Sequence, residues 1–269
     1  MEVISSISEI QHLTLQLERE GKKIGFVPTM GFLHEGHLSL IDLIRERSDV
    51  VILSIFVNPT QFGVGEDLEK YPRDQERDLE LCRDRKVDYV FAPETDDIYL
   101  PDATTFVSEE GVSVGLCGQA RPTHFKGVTT ICAKLFNLCR PTFVALGQKD
   151  AQQVVVLKRM IRDLHFPTEV IIGPTIREDD GLAMSSRNSY LNEKQRSDAL
   201  LLNQALQAGR ALVEEKGVRN VDRVKAELMN VLRNGSSLRV NYAEVVECET
   251  MKPETEIEMG RSMLVVAVW

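Results

Sequence analysis

The sequence has no long hydrophobic run and no excess of basic residues. No stretch approaches the roughly 18 apolar residues that a membrane-spanning helix needs, and "MEVISSISEIQHL" lacks the basic and apolar regions of a secretory leader. Its 32 basic and 41 acidic residues give a net charge of -9, without a Lys/Arg block that could follow a nucleic-acid backbone. These absences argue against membrane and nucleic-acid partners and predict a soluble, cytoplasmic protein.

Cysteine is scarce and irregularly spaced. No C-x-x-C pair occurs, and most of the thiols lie in apolar segments, where they pack as small hydrophobic groups. This usage disfavours a disulfide framework and a zinc site, and it is typical of a reducing compartment. The five cysteines are Cys82, Cys117, Cys132, Cys139 and Cys248.

The sequence does contain a regular alternation of strand-like and helix-like segments. "KKIGFVPT" and "VVILSIFVN" are nearly continuous apolar runs, as expected for parallel strands buried on both faces. Further strand-like runs follow at 87–93, 142–147 and 168–174, each preceded by an amphipathic helical stretch. The pattern predicts an α/β fold: a Rossmann-like, doubly wound parallel sheet with ligands at the carboxyl ends of its strands.

The pattern changes after "SSRNSYL". Residues 193–234 resemble two helices broken near "EKGVRN", and "VNYAEVVE" and "SMLVVAVW" resemble two short strands. We therefore predict a second, smaller α+β domain, with domains at 1–180 and 181–269.

The stretch "PTMGFLHEGH" (28–37) follows the first strand-like run. Gly31 permits a turn, and a helix beginning near Gly36 would point unpaired N–H groups and its positive dipole end at an anion. His34 and His37, at i and i+3, would share a face of that helix. Zinc is disfavoured because H-E-G-H lacks the spacing of H-E-x-x-H. Two solvated imidazoles at a helix start stay open as an alternative.

Two further stretches place polar groups after predicted strands. Asn58 and Gln61 in "FVNPTQF" are neutral amides that suit a hydroxyl or carboxylate, although turn chemistry alone also explains Asn-Pro. In "GQKDAQQ" (147–153), Lys149 suits a phosphate and Asp150 can accept from ribose hydroxyls. A strand-ending glycine and a solvated helix cap explain that stretch equally well.

A fourth stretch, "REDDGLAMSSRNSYL" (177–191), supplies hydroxyl and guanidinium donors on a loop. Ser185, Ser186 and Arg187 would form a natural clamp for a polyphosphate. A helix cap explains the same residues without any ligand.

Together the stretches are far more specific than any one of them. They resemble the pantothenate synthetases, the pantoate-β-alanine ligases, a family within the nucleotidyltransferase group that carries an H-x-G-H motif. The resemblance spans about residues 24–191 and fades in the rest of the chain. The motifs that carry it are "PTMGFLHEGH", "FVNPTQF", "YPRD", "GLCGQARPTHFKGV", "KLFN", "GQKDAQQ" and "DGLAMSSRNSYL".

This resemblance implies an ATP-dependent ligase. Pantoate and ATP would give pantoyl adenylate and pyrophosphate, and the amine of β-alanine would then displace AMP to give pantothenate. Mg²⁺ would accompany ATP, and the chain would form a homodimer. The first domain would bind ATP and pantoate, and the second would act as a lid.

The family's site residues carry over position by position. His37 would be the proton donor, with His34 and Lys149 as further catalytic residues, and a protonated histidine would neutralise charge on the phosphates. Gln61 and Gln153 would bind pantoate, and Gln61 would also bind β-alanine. The implied ATP-binding residues are Met30, Gly31, Phe32, Leu33, His34, Glu35, Gly36, His37, Gly147, Gln148, Lys149, Asp150, Ile176, Met184, Ser185, Ser186 and Arg187.

The resemblance leaves the metal ligands unknown and contains several departures. Asp78 is a possible magnesium partner, with a solvated helix carboxylate as the alternative. Gln148 stands where the family usually has glutamate, Ala151 where it has an aromatic residue, and Thr123 where it has a loop glycine. The tail "GRSMLVVAVW" differs from the familiar ending.

Two other functions fit the same motifs. An adenylyl- or cytidylyltransferase would move a nucleotide onto a phosphate-bearing acceptor, and its product would retain the nucleotide instead of releasing AMP. A nucleotide-sensing module would keep the fold and lose turnover. The substitutions around Lys149 favour such a module, whereas the retained histidines and serine pair disfavour it.

Overall fold

Six parallel strands form one sheet in the order β1-β4-β3-β2-β5-β6. The strands pair in register, with Ile24 opposite Val50 and Thr29 opposite Ile55 in the central pair. The predicted parallel α/β sheet is therefore confirmed in a computed structural model that describes residues 1–269. The strands are β1 (Glu2–Ile4), β2 (Ile24–Thr29), β3 (Val50–Ile55), β4 (Tyr89–Phe91), β5 (Phe143–Gly147) and β6 (Glu169–Gly173).

Three strands differ from the sequence prediction, and one of them, β4, spans only Tyr89–Phe91 of the predicted 87–93. β3 ends at Ile55 instead of residue 58, because Pro59 starts a 3₁₀ turn over Pro59–Gln61 and cannot donate to a ladder. β1 was not predicted, since three residues are too few to show periodicity. It is held at the sheet edge by pairing with β4.

Helices cover both faces of this sheet. Val27 of β2 packs in the cluster that includes Leu38 and Ile41 of α2 (Glu35–Arg45). Its neighbour Phe26 points to the opposite face and meets Phe136 of α6 (His124–Cys139) edge to face, with ring centroids 6.3 Å apart. Because successive strand residues alternate between faces, burial of both explains why the strand is continuously apolar. The other helices of this part of the chain are α1 (Ile7–Arg19), α3 (Gln75–Asp84), α4 (Thr95–Ile98) and α7 (Ala151–Asp163).

The chain divides into two compact units. The first comprises Met1–Glu109 and Thr123–Ile176, and the second comprises Glu110–Pro122 and Arg177–Trp269. Sequence analysis placed one boundary after residue 180, whereas the structure also assigns 110–122 to the second unit.

The second unit is a small α+β structure, as predicted. Two antiparallel strands, β7 (Val240–Glu247) and β8 (Ser262–Val268), pair with each other. Their apolar residues pack with α8 (Glu193–Glu214) and α9 (Val221–Leu232). A short helix, α5 (Cys117–Ala120), also belongs to this unit.

Two features of the whole chain bear on its chemistry. All five cysteines are free. None of the helices combines the length and the apolar character required to span a membrane.

Candidate active site

The site lies where the strand order of the sheet reverses. From β2 the chain moves outward to β3 and β4, and it then returns to place β5 and β6 on the other side of β2. Such a reversal leaves a crevice at the carboxyl ends of the two central strands. The loops that follow β2 and β5 carry Met30–His37 and Gly147–Asp150. Topology therefore brings two of the predicted ATP-binding stretches to one crevice.

His34 is the N-cap of α2, which begins at Glu35 instead of near Gly36. The Gly36 N–H donates to His34 Nδ1 at 3.1 Å, and the His34 N–H donates to His37 Nδ1 at 3.3 Å. Two imidazoles thus fill the capping role that Ser, Thr, Asp or Asn side chains usually take.

The first helical turn of α2 uses several of its own amides. The N–H groups of His37 and Leu38 both donate to His34 O, at 2.8 and 3.1 Å, and the Gly36 N–H donates to the imidazole of His34. These three amides are satisfied within the turn, and anion binding at this helix start stays a prediction. Besides its backbone, the turn presents the imidazole rings of His34 and His37.

The capping bonds determine where each ring carries its proton. A neutral imidazole has one N–H and one acceptor nitrogen, and Nδ1 is the acceptor in both His34 and His37. The ring proton therefore resides on Nε2, which makes no hydrogen bond with the protein in either residue. The rings lie together, with centroids 4.1 Å apart. The turn thus holds two neighbouring Nε2–H donors.

Both imidazoles are neutral at physiological pH. Burial, together with the nearby His34 and Lys149, lowers the pKa of His37 to about 3. Burial is also the main cause that lowers the pKa of His34 to about 4, with smaller contributions from Lys149 and Arg77 and an opposing effect of Asp150. A desolvated ring beside other cations disfavours a second proton in the protein without its ligand, and the proton-donor role expected of His37 stays a prediction.

Lys149 supplies the positive charge of this part of the site. It lies in a 3₁₀ turn, Gln148–Asp150, directly after β5. Its ammonium is 3.7 Å from the Asp150 carboxylate, and its side chain is 39% exposed, so the charge stays accessible to a ligand. The structure thus brings Lys149 together with His34 and His37.

Gln61 lies at the end of the turn that follows β3. Its Oε1 accepts from Asn58 Nδ2 at 3.1 Å, and its Nε2 lies 3.1 Å from Met30 Sδ. Asn58 is 1% exposed, and its Oδ1 accepts from Tyr99 and Thr60 at 2.8 and 3.0 Å. Asn58 is therefore a buried structural residue. Its hydrogen bond to Gln61 Oε1 orients the amide nitrogen of Gln61 towards the loop that follows β2.

Helix α6 supports the same turn through close backbone contact. Asn58 Nδ2 also donates to Gly127 O at 3.2 Å, and a Cβ on Gly127 would lie only 2.4 Å from Thr60 O. Only glycine permits this approach. Sequence reasoning missed Tyr99 and Gly127 because neither belongs to a local pattern with the residue that it supports.

Asp78 is not the solvated helix carboxylate of one sequence interpretation, because its side chain is 1% exposed. Oδ2 accepts from the Phe32 N–H and Oδ1 from the Leu33 N–H, both at 2.7 Å. Its possible role as a magnesium partner stays a prediction. Burial raises the pKa of Asp78, while the two amide bonds and Arg77 oppose that shift.

The remaining predicted residues lie on separate elements. Gln153 is half-buried on the first turn of α7, and Ile176 is half-buried after β6. Met184–Arg187 belongs to the second unit, where Ser185 Oγ caps a 3₁₀ helix by accepting from the Arg187 N–H. No group of three or more His, Cys, Asp or Glu side chains is arranged to hold a metal ion.

The local backbone accommodates Thr123, Ala151 and the C-terminal tail, three of the departures from the family pattern. Thr123 has φ -95°, an ordinary value that requires no glycine, and it leads directly into α6. Ala151 begins α7, where its small side chain is half-buried. The unusual tail forms β8 of the second unit.

Comparison with known proteins identifies relatives along the full length of the chain. A family model described as pantoate-beta-alanine ligase matches residues 2–269. The pantothenate synthetases of Thermosipho melanesiensis and Fervidobacterium nodosum are 49% and 47% identical over 269 residues, covering 100% of this chain and 95% of each relative.

Solved structures agree with these sequence matches. Pantothenate synthetase from Thermus thermophilus has a TM-score of 0.92 and 41% identity, covering 99% of this chain and 95% of that one. Pantoate-beta-alanine ligase from Francisella tularensis, solved in complex with β-γ ATP and β-alanine, has a TM-score of 0.76 and 32% identity. That match covers 91% of this chain and 89% of the other.

Proposed function

The chain belongs to the pantoate-β-alanine ligase family, and we propose that its site catalyses ATP-dependent condensation of pantoate with β-alanine. The observation that carries the proposal is the pair of fixed Nε2–H donors, His34 and His37, beside Lys149 at the crevice of the sheet. Two neutral hydrogen-bond donors and one cation can stabilise both the charge of a bound polyphosphate and the charge that moves onto its leaving group during the reaction.

In the first step, a carboxylate oxygen of pantoate attacks the α-phosphorus of ATP. A new P–O bond forms, the bond to the β-phosphate oxygen breaks, and pyrophosphate leaves with the electron pair. The carboxylate is already ionised, so this step needs no general base and no covalent enzyme intermediate. The chain's contribution is orientation and stabilisation of the charge that develops on the phosphates.

His34 and His37 are proposed to donate hydrogen bonds from Nε2 to the reacting phosphates. The pKa of about 3 favours His37 as a neutral hydrogen-bond donor, and the proton-donor role that the resemblance implies is the alternative that substitution of His37 tests. Lys149 would offset charge on the departing pyrophosphate, where a mobile ammonium can follow the moving charge.

Gln61 and Gln153 are proposed to hold pantoate. Asn58 donates to Gln61 Oε1 and thereby orients the Gln61 amide, and an amide can hydrogen-bond a carboxylate or hydroxyl oxygen. In the second step, the amine of β-alanine attacks the acyl carbon of the adenylate, the C–O bond to AMP breaks, and the amine loses a proton. Gln61 would also line the β-alanine position.

Magnesium is proposed to enter as the complex with ATP. An ion that enters with a nucleotide is held mainly by phosphate oxygens and water, with one or two carboxylates at most. Bound there, the ion would withdraw charge from the phosphates.

The role of the second unit, the oligomeric state and the cellular location are proposed from the family. Met184–Arg187 in the second unit would complete the ATP contacts, and that unit would act as the lid. The chain would act as a homodimer in the cytoplasm, and size-exclusion chromatography with light scattering tests the dimer.

Product analysis tests the proposed reaction. The protein is incubated with ATP, pantoate and β-alanine, and the products are identified by mass spectrometry. Pantothenate and AMP in equal amounts are expected. A product that retains the nucleotide would instead indicate a nucleotidyltransferase, and ATP binding without any product would indicate a nucleotide sensor.

A further inference from the structure

The loop between β2 and α2 has left-handed backbone at two consecutive residues. Gly31 has φ +80° and Phe32 has φ +51°. Glycine adopts this region freely, whereas phenylalanine is strained there. Because of this conformation, the N–H groups of Phe32 and Leu33 converge, and paired amides of this kind form a concavity for an anion. Something must hold the loop in this strained form.

The anion in that concavity is Asp78 of the chain itself. Its two oxygens accept from the Phe32 and Leu33 amides at 2.7 Å each. A Cβ on Gly31 would approach Asp78 Oδ2 to 3.0 Å, so the carboxylate also fits closely against the turn. On the same helix, Arg77 donates to Leu33 O at 3.0 Å. Helix α3 therefore holds Leu33 through both its N–H and its carbonyl.

This attachment continues directly into the histidine pair. Leu33 O and the His34 N–H belong to one planar peptide unit, which receives the Arg77 bond at its oxygen and donates to His37 Nδ1 from its nitrogen. Rotation of that peptide would remove the acceptor role of His37 Nδ1. The tautomer of His37 therefore depends on how α3 fixes Leu33.

We propose that Asp78 is a positioning residue for adenylate formation, holding the Gly31–Leu33 turn so that His34 and His37 present their Nε2–H groups to ATP. This inference rests on the proposed function of the two histidines. Asp78 touches neither substrate, and its effect on the reaction passes through the Phe32 and Leu33 amides.

The test is Asp78→Asn, which preserves the size of the side chain. The amide has a single oxygen, so its NH₂ group must face one of the two loop N–H groups, donor against donor. We expect pantoate-dependent ATP-pyrophosphate exchange to slow ~10- to 100-fold, as for loss of a partner that orients a reacting group. Aminolysis of added pantoyl adenylate by β-alanine should keep its rate, because that half-reaction does not move charge onto pyrophosphate.

Asp74→Asn is the matched control. Asp74 caps the same helix by accepting from the Arg77 N–H at 3.2 Å, and asparagine caps a helix equally well. This variant removes the same charge one turn away and should exchange at the wild-type rate. In ¹⁵N spectra of histidine-labelled protein, Asp78→Asn should shift the ring signals of His37 away from the pure Nε2–H form, and Asp74→Asn should not.

Two outcomes would overturn the proposal. One is exchange in Asp78→Asn as fast as in Asp74→Asn. The other is parallel loss of both half-reactions and thermal stability, which indicates a purely structural role. Should Asp78→Asn fail to fold, Asp78→Glu decides, because it keeps the charge and both acceptor oxygens but moves them by one methylene relative to the Phe32 and Leu33 amides; an unchanged exchange rate then contradicts the proposal.

Failure of the proposed function gives a different result. Wild-type protein that shows no pantoate-dependent exchange would contradict the reaction itself. The ring-nitrogen spectra of Asp78→Asn and Asp74→Asn would still show whether Asp78 controls the tautomer of His37, since that measurement requires no substrate.

Discussion

Two neutral imidazoles form the chemical centre of the site at the scale of single residues. The sequence could place His34 and His37 on one face at a helix start, but it could not give their protonation. That property depends on burial, on Lys149 from a distant part of the chain, and on amides that donate to Nδ1. Three-dimensional contacts therefore decide whether these rings carry a second proton, and their lowered pKa values favour two neutral hydrogen-bond donors.

Substitutions at His37 distinguish a hydrogen-bond donor from a proton donor. His37→Ala should slow adenylate formation by roughly 100- to 1,000-fold, the usual effect of removing a preorganised donor. His37→Gln can place an N–H near the Nε2 position and should recover part of the rate. His37→Asn reaches only the Nδ1 position and should stay near the alanine variant. Single-turnover rates of pantoyl adenylate formation measure all three.

Equal rates for the glutamine, asparagine and alanine variants would contradict the donor role. None of the three side chains can act as an acid, so a true proton donor predicts no recovery. Circular dichroism at the assay temperature provides the control for folding.

The lowered histidine pKa values also predict how stability depends on pH. A ring with an ordinary pKa of 6.5 in the unfolded chain and about 4 or 3 in the folded protein binds protons preferentially when unfolded. The free energy of unfolding should therefore decrease as the pH falls below about 6.5 and be unaffected by these rings above it. The decrease should be about 2–4 kcal/mol for the pair by pH 5, with the lower end allowing for solvent that still reaches His34.

Urea unfolding at pH 8 and pH 5 measures this effect. The comparison is with the double variant His34→Gln/His37→Gln, which cannot titrate at these positions. An identical loss of stability in the wild type and the double variant would show that other groups cause it.

At the scale of secondary-structure elements, hydrogen bonds between elements that are distant in sequence hold the residues of the site in place. The 3₁₀ turn that carries Gln61 is held by Tyr99 and by α6, and the histidine turn is held by α3. The sequence predicted α3 and α6 well because their amphipathic periodicity is local. It could not predict which residues face the crevice loops, because those contacts depend on the packing of the helices against the sheet.

Tyr99→Phe tests whether the hydrogen bond from Tyr99 to Asn58 helps to orient Gln61 for pantoate. It removes a donor to Asn58 Oδ1 and loosens the orientation of the Gln61 amide. A lost buried hydrogen bond of about 1 kcal/mol predicts a rise of roughly 3- to 10-fold in KM for pantoate. KM for ATP should not change. Tyr89→Phe, at the amino end of β4, is the matched control; equal effects of both variants would contradict this role of Tyr99.

Gly127→Ala tests the approach of α6 to the same turn. The added methyl group would collide with the Thr60 carbonyl, so α6 must move away. We expect a destabilisation of about 1–3 kcal/mol, typical of overpacking, together with weaker use of pantoate. Gly115→Ala, where the methyl group meets open space at an ordinary φ, should leave the free energy of unfolding nearly unchanged. Denaturant unfolding compares the two, and similar stabilities would contradict the close contact.

At the scale of the whole molecule, the sequence predicted the parallel sheet and the small α+β part, because both rest on apolar periodicity. It did not predict β1, and it did not assign residues 110–122 to the second unit. Both depend on contacts with segments far away in the chain. The predicted ATP stretches after β2 and β5 meet because the strand order reverses there, which is a consequence of topology and not of either motif alone.

The most direct test of the central claim is ATP-pyrophosphate exchange without β-alanine. Formation of pantoyl adenylate is reversible, so labelled pyrophosphate should enter ATP only when pantoate is present. We expect exchange that requires pantoate and is greatly reduced in Lys149→Ala and His37→Ala, both of which should remain folded. Exchange that proceeds equally well without pantoate, or no exchange in its presence, would contradict the assignment of this site to adenylate formation.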